Sequence, residues 1–256
     1  MSCSSAASVL RAIDREAYDV VPIGIARDGR WVLVPDDPQA LELRREHVPE
    51  VDGSGDAIVA PLATTDRTLR ALDQADVVRE LGEVDVVFPV LHGPWGEDGT
   101  VQGMLDLSDV RYVGSGVLAS AAGMDKHYMK VIFAGHGLPI GPYAVITDRA
   151  WRADPAAAMD AVHSLGFPVF VKPARAGSSM GITRVNDPDD LQDAIEAARE
   201  HDPKVIVEAA IFGREIECAV LEGRDTDAPR TSEVGEIAVV QGHEFYDFEA
   251  KYLAEN

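Results

Sequence analysis

One segment limits the fold more than any other. Residues 167–173, Phe-Pro-Val-Phe-Val-Lys-Pro, carry the strongest strand signal in the chain, and they run directly into Ala-Arg-Ala-Gly-Ser-Ser-Met-Gly at 174–181. β-Branched and aromatic residues followed by a Gly/Ser cluster mark a strand that ends in a tight loop. Such a chain must deliver Lys172 at a strand end, next to backbone that Gly177 and Gly181 allow to approach a ligand closely. Lysine supplies charge, Ser178 and Ser179 supply hydroxyl donors, and the loop amides complete a cradle for phosphate oxygens. No Gly-Lys-Ser/Thr sequence opens a helix here, so the segment is not a Walker A loop. Taken alone it also fits a surface turn with a stray lysine.

Charge decides what such a cradle can serve. The chain of 256 residues has a formal net charge of −21, which argues against nucleic acid or an anionic membrane surface as a partner. An anionic ligand therefore needs a local positive site. Of the 23 basic residues only five are lysines, at 126, 130, 172, 204 and 251, and three of these fall inside motifs. No apolar run approaches the roughly 18 residues of a membrane span. The first ten residues lack a charged start and an apolar core, so they do not read as a secretory signal. Cys3 and Cys218 have no metal-ligand spacing and suit a reducing cytoplasm. A cytoplasmic location is the expectation.

The pattern along the chain divides in two. Residues 18–25 and 31–35 read as a hairpin, 35–56 as surface loop with a short helix, and 65–81 as a helix. Val-Asp-Val-Val-Phe-Pro-Val-Leu-His-Gly at 84–93 is the kind of run that a parallel sheet buries on both faces. A helix near 101–108 and a short strand at 111–116 follow. The expectation is α/β then α+β: a doubly wound parallel-sheet domain over 1–115, then a second region of strands and helices that opens with one helix at 117–136. Helix 187–200, with the start signal Asn-Asp-Pro-Asp-Asp, and strands at 204–211 and 214–222 complete the second region.

Three further constellations carry chemistry. Glu208 ends one strand and Glu215 begins the next, a spacing that lets two carboxylates meet one ligand. Acceptors at strand ends suit an adenine amino group and ribose hydroxyls, although such glutamates are also common as solvated edge residues. His92 stands beside glycines at the end of the apolar run, with Glu97 and Asp98 close by, as either a positioned acid/base or a loop cap. Residues 245–252, Phe-Tyr-Asp-Phe-Glu-Ala-Lys-Tyr, are too aromatic for a plain loop; an edge strand with ring packing is the other reading.

In this order, together with Met-Asp-Lys at 124–126 and Ser-Cys-Ser-Ser-Ala-Ala-Ser-Val-Leu near the start, the motifs resemble the D-alanine:D-alanine ligases of the ATP-grasp superfamily. The resemblance covers essentially the whole chain. It implies ATP-dependent joining of two D-alanines through an acyl phosphate, with ATP between two β-rich lobes. It also implies a division into 1–115, an ATP-grasp central part over 116–210, and the start of a C-terminal part over 211–256. By the same resemblance Lys126 and Lys172 hold phosphates, Glu208 and the backbone at Ala209 and Ile211 read adenine, and Glu215 binds ribose. Phe245 packs on the adenine ring. Ser178 and Tyr252 hydrogen-bond across the substrate pocket, and Lys251 approaches the transferring phosphoryl group from a closing loop. His92, oriented by Glu97, stands beside the reacting carboxyl group.

The chain departs from the family pattern at both ends. The family's first strand, with a Gly-Gly turn and a glutamate for the first D-alanine, would precede residue 1. About a hundred residues, bearing the Mg²⁺ ligands, would follow Asn256. The expectation is therefore ATP and Mg²⁺ as cofactors with no metal ligand within these residues, D-alanine as substrate, and a homodimer through the N-terminal domain. A non-catalytic fragment or nucleotide-binding module, and an ATP-grasp ligase with another acceptor, are the alternative readings.

Overall fold

The computed structural model describes residues 1–44, 48–59, 64–177 and 179–237. It divides into two compact units, Met1–Met124 and Asp125–Asn256.

The first unit opens with helix α1 (Ser2–Ala12), followed by strands β1 (Ile23–Ile25), β2 (Trp31–Leu33), β3 (Ala57–Val59), β4 (Thr68–Leu72) and β5 (Val78–Glu83). These strands form one antiparallel meander in sequence order. The β1–β2 hairpin matches the sequence reading, with the Asp28 carboxylate accepting from the Arg30 N–H to shape its turn. Helices α2 (Thr100–Leu107) and α3 (Val117–Met124) complete the unit.

Several local expectations give way here. Residues 65–81, read as a helix, are the β4–β5 hairpin. Leu69 and Ala71 are buried while their neighbours are not, which is the period of two that belongs to strands. The deciding group is Asp73, whose carboxylate accepts from the N–H groups of Ala75 and Val77 and turns the chain back through Asp76 at φ 58°. The apolar run at 84–93 forms no assigned strand. Its one ladder contact is a parallel bridge between Val87 and Tyr112. Val86 and Phe88 are exposed, and Pro89 brings no N–H to a ladder. The strand expected at 111–116 is reduced to the same bridge, and 35–56 shows no helix among the described residues. Parallel pairing of the doubly wound kind thus appears among the described residues only at Val87 with Tyr112.

The second unit contains helix α4 (Lys126–Gly135), strand β6 (Tyr143–Ile146), helices α5 (Asp148–Ala153) and α6 (Pro155–His163), and strands β7 (Val169–Pro173) and β8 (Thr183–Val185). Helix α7 (Leu191–Arg199) and strand β9 (Val205–Ala209) follow, then the short strands β10 (Glu215–Glu217), β11 (Val220–Leu221), β12 (Arg230–Thr231) and β13 (Gly235–Ile237). The helix expected over 117–136 is two. Asp125 takes an extended conformation between them and caps α4 by accepting from the N–H groups of His127 and Tyr128.

Strands β6, β9, β7 and β8 form an antiparallel sheet in that order. In β7 the buried residues are Val169, Val171 and Pro173, alternating with Phe170 and Lys172. Val169, Val171, Val205 and Val207 pack against α7 through Leu191, Ala194, Ile195 and Ala198, a stripe at helical spacing. Trp151 and Val162 close the same core. The opposite face of β7, carrying Phe170 and Lys172, is left for chemistry.

Candidate functional site

In the second unit the site grows from strand register. Phe170 lies directly across from Glu208, Tyr143 lies across from Glu208 on the other side, and Lys172 lies across from Ile206. Directly opposed residues share a face, so these side chains project together, away from α7. Lys172 Nζ stands 2.5 Å from Glu208 Oε2. Helix α4 brings a second amine: Lys130 Nζ lies 3.2 Å from Glu208 Oε1. The three side chains are only 12 % (Lys130), 17 % (Glu208) and 21 % (Lys172) exposed. Burial alone would raise the Glu208 pKa, but Lys172 and then Lys130 outweigh it and hold the carboxyl below its ordinary value.

Lys126 takes a different post. Its Nζ donates to the carbonyls of Pro173, at 3.3 Å, and Ala176, at 2.5 Å, so it grips the root of the loop after β7. Burial, followed by the nearby charge of Lys172, pushes its pKa down.

The same loop root is held from behind by Asp202. Its carboxylate accepts from the Arg175 backbone N–H and from two guanidinium nitrogens, at 2.7–2.9 Å, and from the Lys204 N–H at 3.0 Å. Lys204 Nζ reaches both oxygens of Asp125, at 2.9 and 2.8 Å, and so ties the cap of α4 to the end of the sheet. Both carboxyls sit below their ordinary pKa values, because Arg175 and Lys204 overcome the burial that opposes their charge. Within the loop, Gly181 at φ 66° is fixed by packing: a Cβ there would stand 2.4 Å from the His201 ring. Around Gly177 nothing lies within 4 Å of such a Cβ. Ser179 has a left-handed backbone at φ 59°.

The remaining nucleotide expectations fall less compactly. The Ala209 N–H donates to Pro142 O, and Ala210 N–H to Pro168 O. Ile211 is exposed, and Glu215 is exposed at the start of β10. Ser178, Phe245, Lys251 and Tyr252 lie outside the described residues.

In the first unit His92 is fixed on three sides. Its N–H donates to Ser2 Oγ at 3.0 Å, its Nε2 is 2.8 Å from Ser5 Oγ, and its Nδ1 is 3.6 Å from Glu97 Oε1. The Gly93 N–H donates to the other Glu97 oxygen at 2.5 Å. Asp98 shapes the turn by accepting from the Trp95 and Thr100 N–H groups and leads into α2. Gly99 precedes that helix at φ 91°, where a Cβ would stand 2.8 Å from the Val117 carbonyl. A hydroxyl within hydrogen-bond reach of one ring nitrogen and a carboxylate 3.6 Å from the other can orient the imidazole.

Sequence reasoning passed over Lys130, Asp125, Asp202, Ser2 and Ser5 as site residues. Lys130 did leave a signal, since it follows Lys126 by four positions and so shares its helix face. Asp202 left none, because the guanidinium it holds belongs to Arg175, distant in sequence. The Mg²⁺ implied by the resemblance finds no seat here: among the described residues no group of three or more His, Cys, Asp or Glu side chains could hold a metal ion. No helix among them is long and apolar enough to cross a membrane.

Comparison with known proteins gives the context of these two clusters. The family descriptions "D-ala D-ala ligase N-terminus" and "D-ala D-ala ligase C-terminus" match residues 1–115 and 132–256. The D-alanine–D-alanine ligase of Arthrobacter sp. is 58 % identical over 257 residues, covering 100 % of this chain and 67 % of that protein. That of Streptomyces coelicolor is 52 % identical over 99 % of this chain and 67 % of its own length. The chain thus spans about two thirds of the curated relatives it matches. Among solved structures, the VanG D-Ala:D-Ser ligase of Enterococcus faecalis superposes with a TM-score of 0.76 at 34 % identity, over 94 % of this chain and 66 % of that one. The D-alanine-D-alanine ligase of Coxiella burnetii gives 0.73 at 30 %, over 92 % and 66 %. The motifs, the fold and these relatives converge, and the chain belongs to the D-alanine–D-alanine ligase family.

Proposed function

We propose that this chain carries out the family reaction with D-alanine on both sides of the new bond. The γ-phosphoryl group of ATP passes to the carboxylate of one D-alanine. The amine of a second D-alanine attacks the resulting acyl phosphate, an amide bond forms, and ADP, phosphate and the dipeptide leave. The dipeptide serves peptidoglycan synthesis in the same reading.

The observation that carries the proposal is the pairing of Glu208 with Lys172 beside the Gly/Ser loop rooted on Lys126. It sets an amino-group acceptor next to cations that suit phosphates, the two demands of an adenine nucleotide. Lys172 turns from Glu208 to the phosphates when ATP binds, and Lys126 faces them from the loop root. Glu208 accepts from the adenine amino group. With its N–H committed to Pro142, Ala209 meets the base through its carbonyl, and Ile211 through its backbone. Glu215 takes the ribose, Phe245 stacks on the base, Ser178 and Ser179 line the cradle, and Lys251 and Tyr252 close over it. His92, clamped between Ser5 and Glu97, faces the reacting carboxyl group. Mg²⁺, a homodimer through residues 1–115, the division at 116 and 211 and a cytoplasmic location belong to the same reading, supported by the family resemblance.

The test is phosphate release with ATP and D-alanine, followed together with dipeptide by mass spectrometry. One phosphate per D-alanyl-D-alanine is expected. Release that needs no D-alanine, or that favours D-serine or D-lactate as acceptor, would overturn the assignment of D-alanine to both sites.

A further inference from the structure

Lys130 has no part in the reaction as set out above, yet its side chain is the more enclosed of the two lysines that pair with Glu208. Each oxygen of that carboxylate has its own lysine, Lys172 on Oε2 and Lys130 on Oε1. The two differ in what anchors them. Lys172 stands on the strand that leads into the phosphate cradle, where an arriving anion competes for it. Lys130 stands on α4, whose first turn is held by Asp125 and through it by Lys204, and its Nζ rests 5.5 Å from the centre of the Tyr143 ring.

From this geometry we propose that Lys130 is a positioning residue for nucleobase choice, holding the Glu208 carboxylate ionised and aimed at the exocyclic amino group of adenine after Lys172 has turned to the phosphates. The proposal rests on the adenine-reading role given to Glu208 above. When Lys172 leaves, a largely buried carboxylate without a partner either takes up a proton or swings toward water. Of the other cations on this side of the sheet, Lys126 is committed to the Pro173 and Ala176 carbonyls, Arg184 lies on β8, on the far side of Phe170 from Glu208, and Lys130 is already paired with the carboxylate. With Lys130 on Oε1, charge stays on the carboxylate and Oε2 is left as the acceptor. Adenine presents donor hydrogens there. Hypoxanthine presents an oxygen, which an ionised carboxylate repels and to which a protonated one can donate its O–H. Lys130 therefore sets how strongly the site rejects a 6-oxo purine.

The experiment measures binding of ATP and ITP to the full chain by competition against a fluorescent ATP analogue, for wild type, Lys130→Arg, Lys130→Met and Glu208→Gln. Wild type and Lys130→Arg should prefer ATP. In Lys130→Met the ATP-over-ITP ratio should shrink by roughly tenfold, as expected when a polar recognition group loses its setting. Glu208→Gln should shrink it as well. A wild-type ratio in Lys130→Met beside a collapsed ratio in Glu208→Gln overturns the role of Lys130 and leaves the adenine reading standing. Equal weakening of both nucleotides in Lys130→Met marks a purely structural lysine and overturns it too. A ratio that Glu208→Gln does not move removes the adenine reading itself, and the proposal with it. Should Lys130→Met not fold, Lys130→Gln carries the same comparison.

Discussion

The His92 and Glu97 side chains of the first unit are 40 % and 45 % exposed, whereas the Lys130, Lys172 and Glu208 cluster of the second is largely enclosed. The first cluster is built from hydroxyls, a ring, backbone N–H groups and the half-exposed Glu97 carboxylate, in contact with water that can replace any one of them. The second is built from full charges that water reaches poorly. Contacts near solvent are inexpensive to keep and inexpensive to lose, while enclosed charges hold only as a balanced set. Their settings differ in the same direction. Lys172 and Glu208 sit on a sheet whose other face is a continuous apolar core, whereas the buried cluster that Leu91, next to His92, packs against is the small group Val101, Leu105 and Val110.

The largest expected effect tests that difference in core. Ile195→Ala, at a position fully closed between α7 and the sheet, should cost about 2–5 kcal/mol in urea unfolding of the second unit. Leu105→Ala should cost less, because its small cluster can collapse into the gap; equal losses would erase the contrast. Next comes Asp202→Ala, which strips the Arg175 guanidinium and two backbone N–H groups of their acceptor at once. A loss of about 2–3 kcal/mol is expected, with faster amide exchange at Arg175; unchanged exchange would mean that Asp202 does not secure the loop.

Acid should separate the two units further. Asp125, Asp202 and Glu208 all have folded pKa values below their unfolded ones, so their contribution is complete above the ordinary carboxylate range, near pH 4, and is lost as pH falls through the lowered values. The melting temperature of the second unit should fall below about pH 4, and Glu208→Gln should flatten part of that fall. An identical pH curve in the variant would count against the buried pair. The smallest effect belongs to Ser5→Ala, where losing the hydroxyl beside His92 Nε2 should cost about 0.5–1.5 kcal/mol or less. Its clearer trace should be a shifted His92 ring resonance; a shift no larger than that of a distant variant would dissolve the cluster.

What the sequence made legible follows the same contrast. Strand β7 announced itself because its alternation, its prolines and its Gly/Ser loop all agree, and α7 because Asn-Asp-Pro-Asp-Asp precedes a clean helical stripe. Residues 65–81 misled because Leu69 and Leu72 satisfy a helical spacing, whereas the strand buries Leu69 with Ala71 and sets Leu72 on its other face; the turn begun by Asp73 settled the matter. The run at 84–93 misled because apolar continuity states no partner. In the site, Lys172 and Glu208 were legible as residue types at strand ends. That they meet depends on the register of β7 against β9, which no local pattern encodes. Which groups Lys130 and Asp202 would meet was hidden likewise, because each pairs with a charged side chain distant in sequence.

The alternation along β7 has one more consequence. Val169 and Val171 point into the core and Phe170 and Lys172 point out of it, so the register that builds the core also sets the side on which the lysine stands. A slip of one residue would drive Lys172 between α7 and the sheet and lift two valines into the site. Such a chain would be rejected as misfolded before it could persist as an impaired enzyme. Folding therefore acts as quality control on the placement of the lysine, and any molecule that folds already carries Lys172 on the correct side.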